Sequence, residues 1–340
     1  MRPVGSLIVE QRVLGRTNRP VSVIGLGTWQ LGADWGNVSE RDALAVLQAA
    51  VESGVTFLDT ADVYGDGRSE RIIGRFIAGN AGQGLTVATK MGRRVDQVPE
   101  NYTLENFRAW TDRSRVNLGV DTLDLVQLHC PPTAVFASDQ VFDALDTLVS
   151  EERIAAYGVS VETADQALTA IARPGTATVQ IIFNAFRRKP LDQVLPAAAA
   201  AGVGIIARVP LASGLLSGRY TRDTQFAAND HRNFNRHGEA FDVGETFSGV
   251  DYDAGVEAAL EFAALAPAGA TAAQTAPAQV ALRWIIQQPG VTTVIPGASN
   301  VEQARQNSAA ADLPPLDQPT LDAIENLYDK YFRAAVHHRW

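Results

Sequence analysis

Short apolar runs alternate along the chain with longer segments whose apolar residues recur every three or four positions. The runs at 23–27, 56–59, 85–89, 123–128, 155–159, 178–182, 203–207 and 291–295 each end in small or polar residues, as buried strands do. Between them lie helical faces: Ala43, Val46, Leu47, Ala50 and Val51; then Ile72, Ile73, Phe76 and Ile77; then Phe142, Leu145, Leu148 and Val149. Ser39, Thr103 and Ser138 stand where N-caps belong, and Gly54, Gly119 and Gly202 where a helix ends in a left-handed residue.

Strands alternating with helices predict an α/β fold with parallel strands. Eight such units can close as a barrel or lie open as a doubly wound sheet. The (β/α)8 TIM barrel is preferred because no composition break divides the chain. Moreover, Gly25-Leu26-Gly27-Thr28-Trp29-Gln30 lacks the third glycine of the dinucleotide fingerprint. Three segments fall outside the repeat. Residues 11–24 predict an N-terminal β-hairpin, with Arg16-Thr17-Asn18 between its runs. Residues 212–254 have little periodicity and read as a long functional loop after the seventh strand. Residues 318–335 predict an extra C-terminal helix with Leu321, Ile324, Leu327, Tyr328 and Tyr331 on one side. The tail 336–340 reads as a frayed polar end, and His337 and His338 not as metal ligands. A length of 340 would ordinarily suggest two domains, but the even repeat predicts a single barrel domain over 1–340.

Composition narrows the function. A hydrophobic fraction of 46% can bury a large core. One cysteine excludes an internal disulfide and a Cys-rich zinc site, and no metal site is expected. The net charge of −9 disfavours nucleic acid and anionic membranes as partners. The first ten residues lack a signal-peptide core, and the weakly polar stretch 194–207 is too short to span a bilayer. A cytoplasmic protein is expected. Oligomeric state leaves no trace in the sequence.

Barrel chemistry sits at the C-terminal strand ends. There the sequence places Asp59, Lys90, His129, Ser160, Gln180 and Arg208, with Tyr64 in the loop after Asp59. Singly, each has a dull reading: a helix cap, a solvated lysine, a turn histidine. Together they make a proton-handling site. A buried lysine needs a partner, and Asp59 supplies one. A lysine beside Tyr64 stabilises phenolate, which is expected to bring the tyrosine toward the range of a general acid.

Several blocks now resemble the aldo-keto reductase superfamily. They are Asp59-Thr60-Ala61-Asp62-Val63-Tyr64-Gly65, Ala88-Thr89-Lys90, Gln127-Leu128-His129, Gly158-Val159-Ser160, the stretch from Pro210 to Tyr220, and Ile295-Pro296-Gly297-Ala298-Ser299-Asn300 with Gln303 and Asn307. Any one is weak; six in order, spanning nearly all the chain, are specific. The resemblance implies a catalytic tetrad of Asp59, Tyr64, Lys90 and His129. It implies hydride transfer from a reduced nicotinamide to the carbonyl of an aldehyde, ketone or sugar, with Tyr64 as proton donor.

It also implies cofactor contacts from Gly27, Thr28 and Trp29 at the first strand end, and from Ser160 and Gln180 at the carboxamide. Pro210, Leu211, Ser213, Gly214, Leu216 and Arg219 fall in the pyrophosphate loop. Gly297, Ala298, Ser299, Gln303 and Asn307 fall at the adenosine end. Arg232 is a candidate second cation. NADPH is favoured, and NADH or dual use is left open. Trp29, Trp35, Tyr64 and His129 are expected to meet the small-molecule carbonyl substrate. The sequence departs from the family pattern twice. Val161 stands where many members have asparagine. Arg208 stands where many have an aromatic ring that stacks on nicotinamide. A guanidinium is planar and can stack, but its charge suits the reduced ring better than the oxidised one, so reduction is expected to be favoured. The alternative is a cofactor-binding regulatory subunit or redox sensor of the same fold with little turnover, since potassium-channel β-subunits share the Gly-Ala-Ser-Asn pattern.

Overall fold

Each of the eight apolar runs forms a strand, and two further strands precede them. The computed structural model describes residues 9–32, 38–80, 83–228, 230–240, 242–265 and 276–340. Strands β1 (Gln11–Val13) and β2 (Pro20–Ser22) pair antiparallel as the hairpin. The others are β3 (Leu26–Gly27), β4 (Phe57–Asp59), β5 (Thr86–Met91), β6 (Leu125–His129), β7 (Tyr157–Ser160), β8 (Thr176–Ile182), β9 (Gly204–Arg208) and β10 (Val291–Val294). From β3 to β10 each pairs in parallel with its sequence neighbour. Parallel bridges Ile24–Val294 and Gly27–Gly297 join the first strand to the last, giving the expected (β/α)8 barrel. Gly27 permits this closure, because a Cβ there would lie 2.9 Å from the Ile295 carbonyl oxygen.

Side chains alternate across a strand, so residues two apart share a face. One face of the barrel strands packs under the helices in the larger core. The other fills the interior in layers. Phe57, Ala88, Leu125, Ile206 and Ile295 form an apolar layer with Leu14 and Val21 of the hairpin. Two residues further along the same strands stand Asp59, Lys90, Gln127 and Arg208. The hairpin therefore plugs the N-terminal end of the barrel, and the polar layer faces the other end. The plug is tight: Gly15 has φ +51°, and a Cβ on it would collide with Ala177 O and Gly204 N. Arg16 adds hydrogen bonds to the carbonyls of Arg173 (3.0 Å) and Ala201 (2.8 Å).

The C-terminal helix runs through Gln318–Tyr328 and continues with a π turn, Asp329–Arg333. Ile324, Leu327, Tyr328 and Phe332 are buried, and Phe332 stacks on Phe186 at 4.3 Å. The tail beyond it is not frayed, which corrects the sequence expectation. His337 bridges Tyr328 Oη and Asp192, each at 2.9 Å. Trp340 is buried and lies 3.6 Å from the Arg187 guanidinium carbon. A large aromatic at the end of a polar tail is the signal that was available for this docking. Among the described residues no helix is long and apolar enough to cross a membrane.

Candidate functional site

The polar layer converges as the strand alternation requires. Lys90, 1% exposed, donates to Asp59 Oδ1, to the Thr60 carbonyl at 2.9 Å and to Tyr64 Oη at 3.4 Å. Asp59 Oδ2 accepts from Gln180 Nε2 at 2.7 Å and from Gln127 Nε2 at 3.2 Å. The Tyr64 ring meets His129 edge-on at 6.0 Å and Trp29 at 6.3 Å. Tyr64 gets there because its loop is pinned by backbone bonds, Thr60 N to Ala88 O and Asp62 N to Lys90 O.

Electrostatics set the proton positions. Burial pushes the Tyr64 phenol above its ordinary value, and Asp59 pushes the same way. Lys90 pulls it down, but less. The expected lowering of Tyr64 therefore does not occur as a net effect: the resting tyrosine is held protonated. Burial pulls Lys90 down, but Asp59 and Tyr64 outweigh it, and the group stays an ammonium. Burial, Arg93, Lys90 and Arg208 hold His129 well below the ordinary imidazole range. It is a neutral ring with Nδ1 buried and without a hydrogen-bond partner among the described residues.

Asp62, in the tyrosine loop, is fully buried, and among the described residues neither carboxylate oxygen has a well-formed hydrogen bond. Burial and Glu70 push its carboxyl up to about 7, against smaller pulls from Arg94, Val63 and Lys90. The folded protein then binds more protons than the unfolded one between the two pKa values, so stability falls as pH rises from about 4 to 7. Asp62→Asn removes this term. In urea titrations the variant should gain on the parent by about 2–3 kcal/mol more at pH 8 than at pH 5. A difference independent of pH would disprove the assignment.

Above the polar layer opens a cavity of about 620 Å³, within the range of small-molecule sites. Asp59, Tyr64, His129, Ser160, Gln180 and Arg208 line its inner end. Gly27, Thr28 and Trp29 line it beside β3, and Pro210, Leu211, Ser213, Gly214 and Arg219 beside β9. Gly297, Ser299, Gln303 and Asn307 line the far end. Three expected residues do not line it: Lys90, buried behind Asp59 and Tyr64, and also Leu216 and Ala298. Leu216 and Ala298 are buried in the larger core, because their side chains face away from the cavity. Trp35 lies outside the described residues.

The walls carry the marks of a built site. Val209 and Cys130, directly after β9 and β6, have φ +52° and +49°, conformations that cost a non-glycine residue about 1–3 kcal/mol. Ala212, Ser213 and Gly214 follow with φ +47°, +57° and +98°, a run of left-handed backbone in the loop expected at the pyrophosphate. Ser299 N and Oγ both bond Gln303 Oε1 at 2.9 Å.

Arg208 is ion-paired with Glu245 at 3.0 Å, which the sequence did not suggest. Arg232 lines the cavity but is clasped by Asp230, Nε to Oδ1 at 2.8 Å. Arg219 lines it with no ion pair among the described residues. Cys130, Glu162 and Glu245 bring ligand atoms within 4.8 Å of one another. Arg208 reaches Cys130 Sγ (3.5 Å), and Arg93 lies 3.6 Å from Glu162, so the group stands within an ion-pair cluster.

Sequence reasoning gave Gln127, His231 and Glu245 no role. Gln127 was legible, two residues before His129 on the same face. Trp29 lies 5.3 Å from the His231 ring. His231 and Glu245 arrive from an aperiodic loop, where no spacing fixes direction.

The fold agrees with what known proteins of similar sequence and structure show. The family model for the aldo/keto reductase family matches residues 23–329. An uncharacterised oxidoreductase of Mycobacterium bovis is 33% identical, covering 86% of this chain and 85% of that protein. A probable voltage-gated potassium channel β-subunit of Arabidopsis thaliana is 27% identical, covering 94% and 96%. An aldo-keto reductase from Klebsiella pneumoniae, solved in complex with NADPH, superposes with a TM-score of 0.70 at 25% identity, covering 95% and 96%. With a family match over most of its length and a barrel whose polar layer stands at the strand ends, the chain belongs to the aldo/keto reductase family, and so to the NAD(P)H-dependent oxidoreductases.

Proposed function

We propose that the chain is an NADPH-dependent carbonyl reductase with Tyr64 as its general acid. The observation that carries this is the buried Lys90, held between Asp59 and Tyr64 at the inner end of the cavity. When bound, the nicotinamide supplies the hydride that adds to the carbonyl carbon. Every other task falls to the protein. His129, neutral and beside Tyr64, orients the carbonyl oxygen by a hydrogen bond. Tyr64 gives that oxygen its proton. Lys90, fixed as an ammonium by Asp59, stabilises the phenolate left behind. Gln127 and Gln180 hold the second oxygen of Asp59, so that the first stays on Lys90.

The residues fit a dinucleotide. Ser160 and Gln180 stand where a carboxamide would be read. The left-handed run 212–214 and Arg219 offer amides and a cation to a pyrophosphate. Ser299, Gln303 and Asn307 would hold the adenosine end. NADPH is preferred to NADH on the strength of the Klebsiella pneumoniae relative's bound cofactor.

The test is oxidation of NADPH and of NADH against a panel of aldehydes, ketones and sugars. Turnover with at least one carbonyl, faster with NADPH, is expected. Tight NADPH binding with no turnover on any of them would overturn the reading in favour of a cofactor-binding regulatory subunit; the Arabidopsis relative is a probable voltage-gated potassium channel β-subunit.

A further inference from the structure

Arg208 ends β9 and faces the inner end of the cavity with His129, Ser160 and Gln180. Alone, it would present a full positive charge there. The structure instead lays Glu245 against it, at 3.0 Å, with the two side chains only 10% and 14% exposed. The second guanidinium nitrogen donates to the Val161 carbonyl at 3.0 Å.

Glu245 is held from several sides. Its turn, Val243–Glu245, is capped by Asp242, which accepts the Gly244 N–H at 2.8 Å and lies 3.5 Å from Arg187. The Glu245 carbonyl accepts from Ser213 Oγ at 2.6 Å, and Ser213 Oγ accepts the Phe247 N–H at 3.1 Å. Trp340 stacks on Arg187 and fills the space beside Gly244, where a Cβ would lie 2.5 Å from the indole. Burial pushes the Glu245 carboxyl up, but Arg208 and Arg93 pull it below its ordinary value, so it is an anion. The surrounding cluster balances: Arg93, Arg187 and Arg208 against Glu162, Asp242 and Glu245. Of these six, Arg208 and Glu245 line the cavity.

We infer that Glu245 is a positioning residue that sets how the site discriminates the oxidised from the reduced nicotinamide, by compensating the charge of Arg208. The inference rests on the cofactor reading above. It replaces the expectation from sequence that Arg208 alone biases the site toward the reduced form. With the pair intact, the site meets the cationic oxidised ring and the neutral reduced ring with little net charge. Without Glu245, the guanidinium charge repels the oxidised ring.

The experiment titrates the full-length protein with NADPH and with NADP+, following protein fluorescence, and takes the ratio of the two dissociation constants, oxidised over reduced. Glu245→Gln should raise the ratio about tenfold, the size expected of one uncompensated charge near a partly buried ring. Arg208→Gln should lower it, because Glu245 is then the uncompensated group. The double variant should return within about twofold of the parent. A smaller folded fraction scales both affinities alike and leaves the ratio unmoved, so a merely structural role does not mimic the result. The inference is overturned if both single variants leave the ratio within twofold of the parent, or move it the same way. If the parent binds neither dinucleotide, the cofactor reading falls, and this inference with it. If the parent binds both and the ratio does not move, only this inference falls.

Discussion

Tyr64→Phe lowers kcat for carbonyl reduction by about a hundred- to ten-thousand-fold, the usual contribution of a positioned proton donor. The change removes one oxygen. Lys90 loses a partner at 3.4 Å but keeps Asp59 and the Thr60 carbonyl, so stability should change by no more than about 1 kcal/mol. The ring still packs against His129 and Trp29. NADPH affinity should therefore stay close to that of the parent, which separates chemistry from binding. The pKa directions add a second readout. Tyr64 is raised by burial, and His129 is lowered by burial and its three cationic neighbours. Neither group changes protonation between about pH 7 and 9, so the parent's reduction rate should be flat there as far as these two groups are concerned. Steady-state kinetics and a pH profile decide the matter. A phenylalanine variant within tenfold of the parent would end the assignment of Tyr64 as the acid.

Much of this architecture was legible because it rests on periodicity. Alternation in β4, β5, β6 and β9 fixes Asp59, Lys90, His129 and Arg208 on the interior face, and the strand spacing brings them to one end. The regular strand, Leu26–Gly27, is shorter than the run of five read from the sequence, because Val23–Gly25 meet β10 only around the single bridge Ile24–Val294. The electrostatic outcome at Tyr64 was misjudged because sequence names the neighbouring charge but not the depth of burial, and burial won. Glu245 and His231 were invisible for a different reason. They reach the cavity from an aperiodic loop, and their direction depends on tertiary contacts such as Ser213 to Glu245. The C-terminal Trp340 belongs to the same class: a local reading gave a frayed end, whereas Arg187, far away in sequence, gives it a seat.

Lys90→Met tests the polar layer as a structural element as well as a catalytic one. Methionine keeps most of the apolar stem and removes the ammonium. Asp59, whose side chain is 3% exposed, is left with Gln127 and Gln180 but without its cation. Removing one partner of a buried ion pair costs about 3–5 kcal/mol, most of it the penalty of the stranded charge. Urea denaturation should show a loss of that size, and carbonyl reduction should fall by about a hundredfold or more, because nothing then stabilises the phenolate of Tyr64. The companion Asp59→Asn/Lys90→Met removes both charges and lets the amide take hydrogen bonds from its neighbours. It should recover most of the stability and none of the activity. If the double variant is as unstable as the single one, the loss comes from the packing of the lysine stem, and the account of Asp59 as a stranded charge is wrong. If the double variant regains activity, Lys90 is not the group that governs Tyr64.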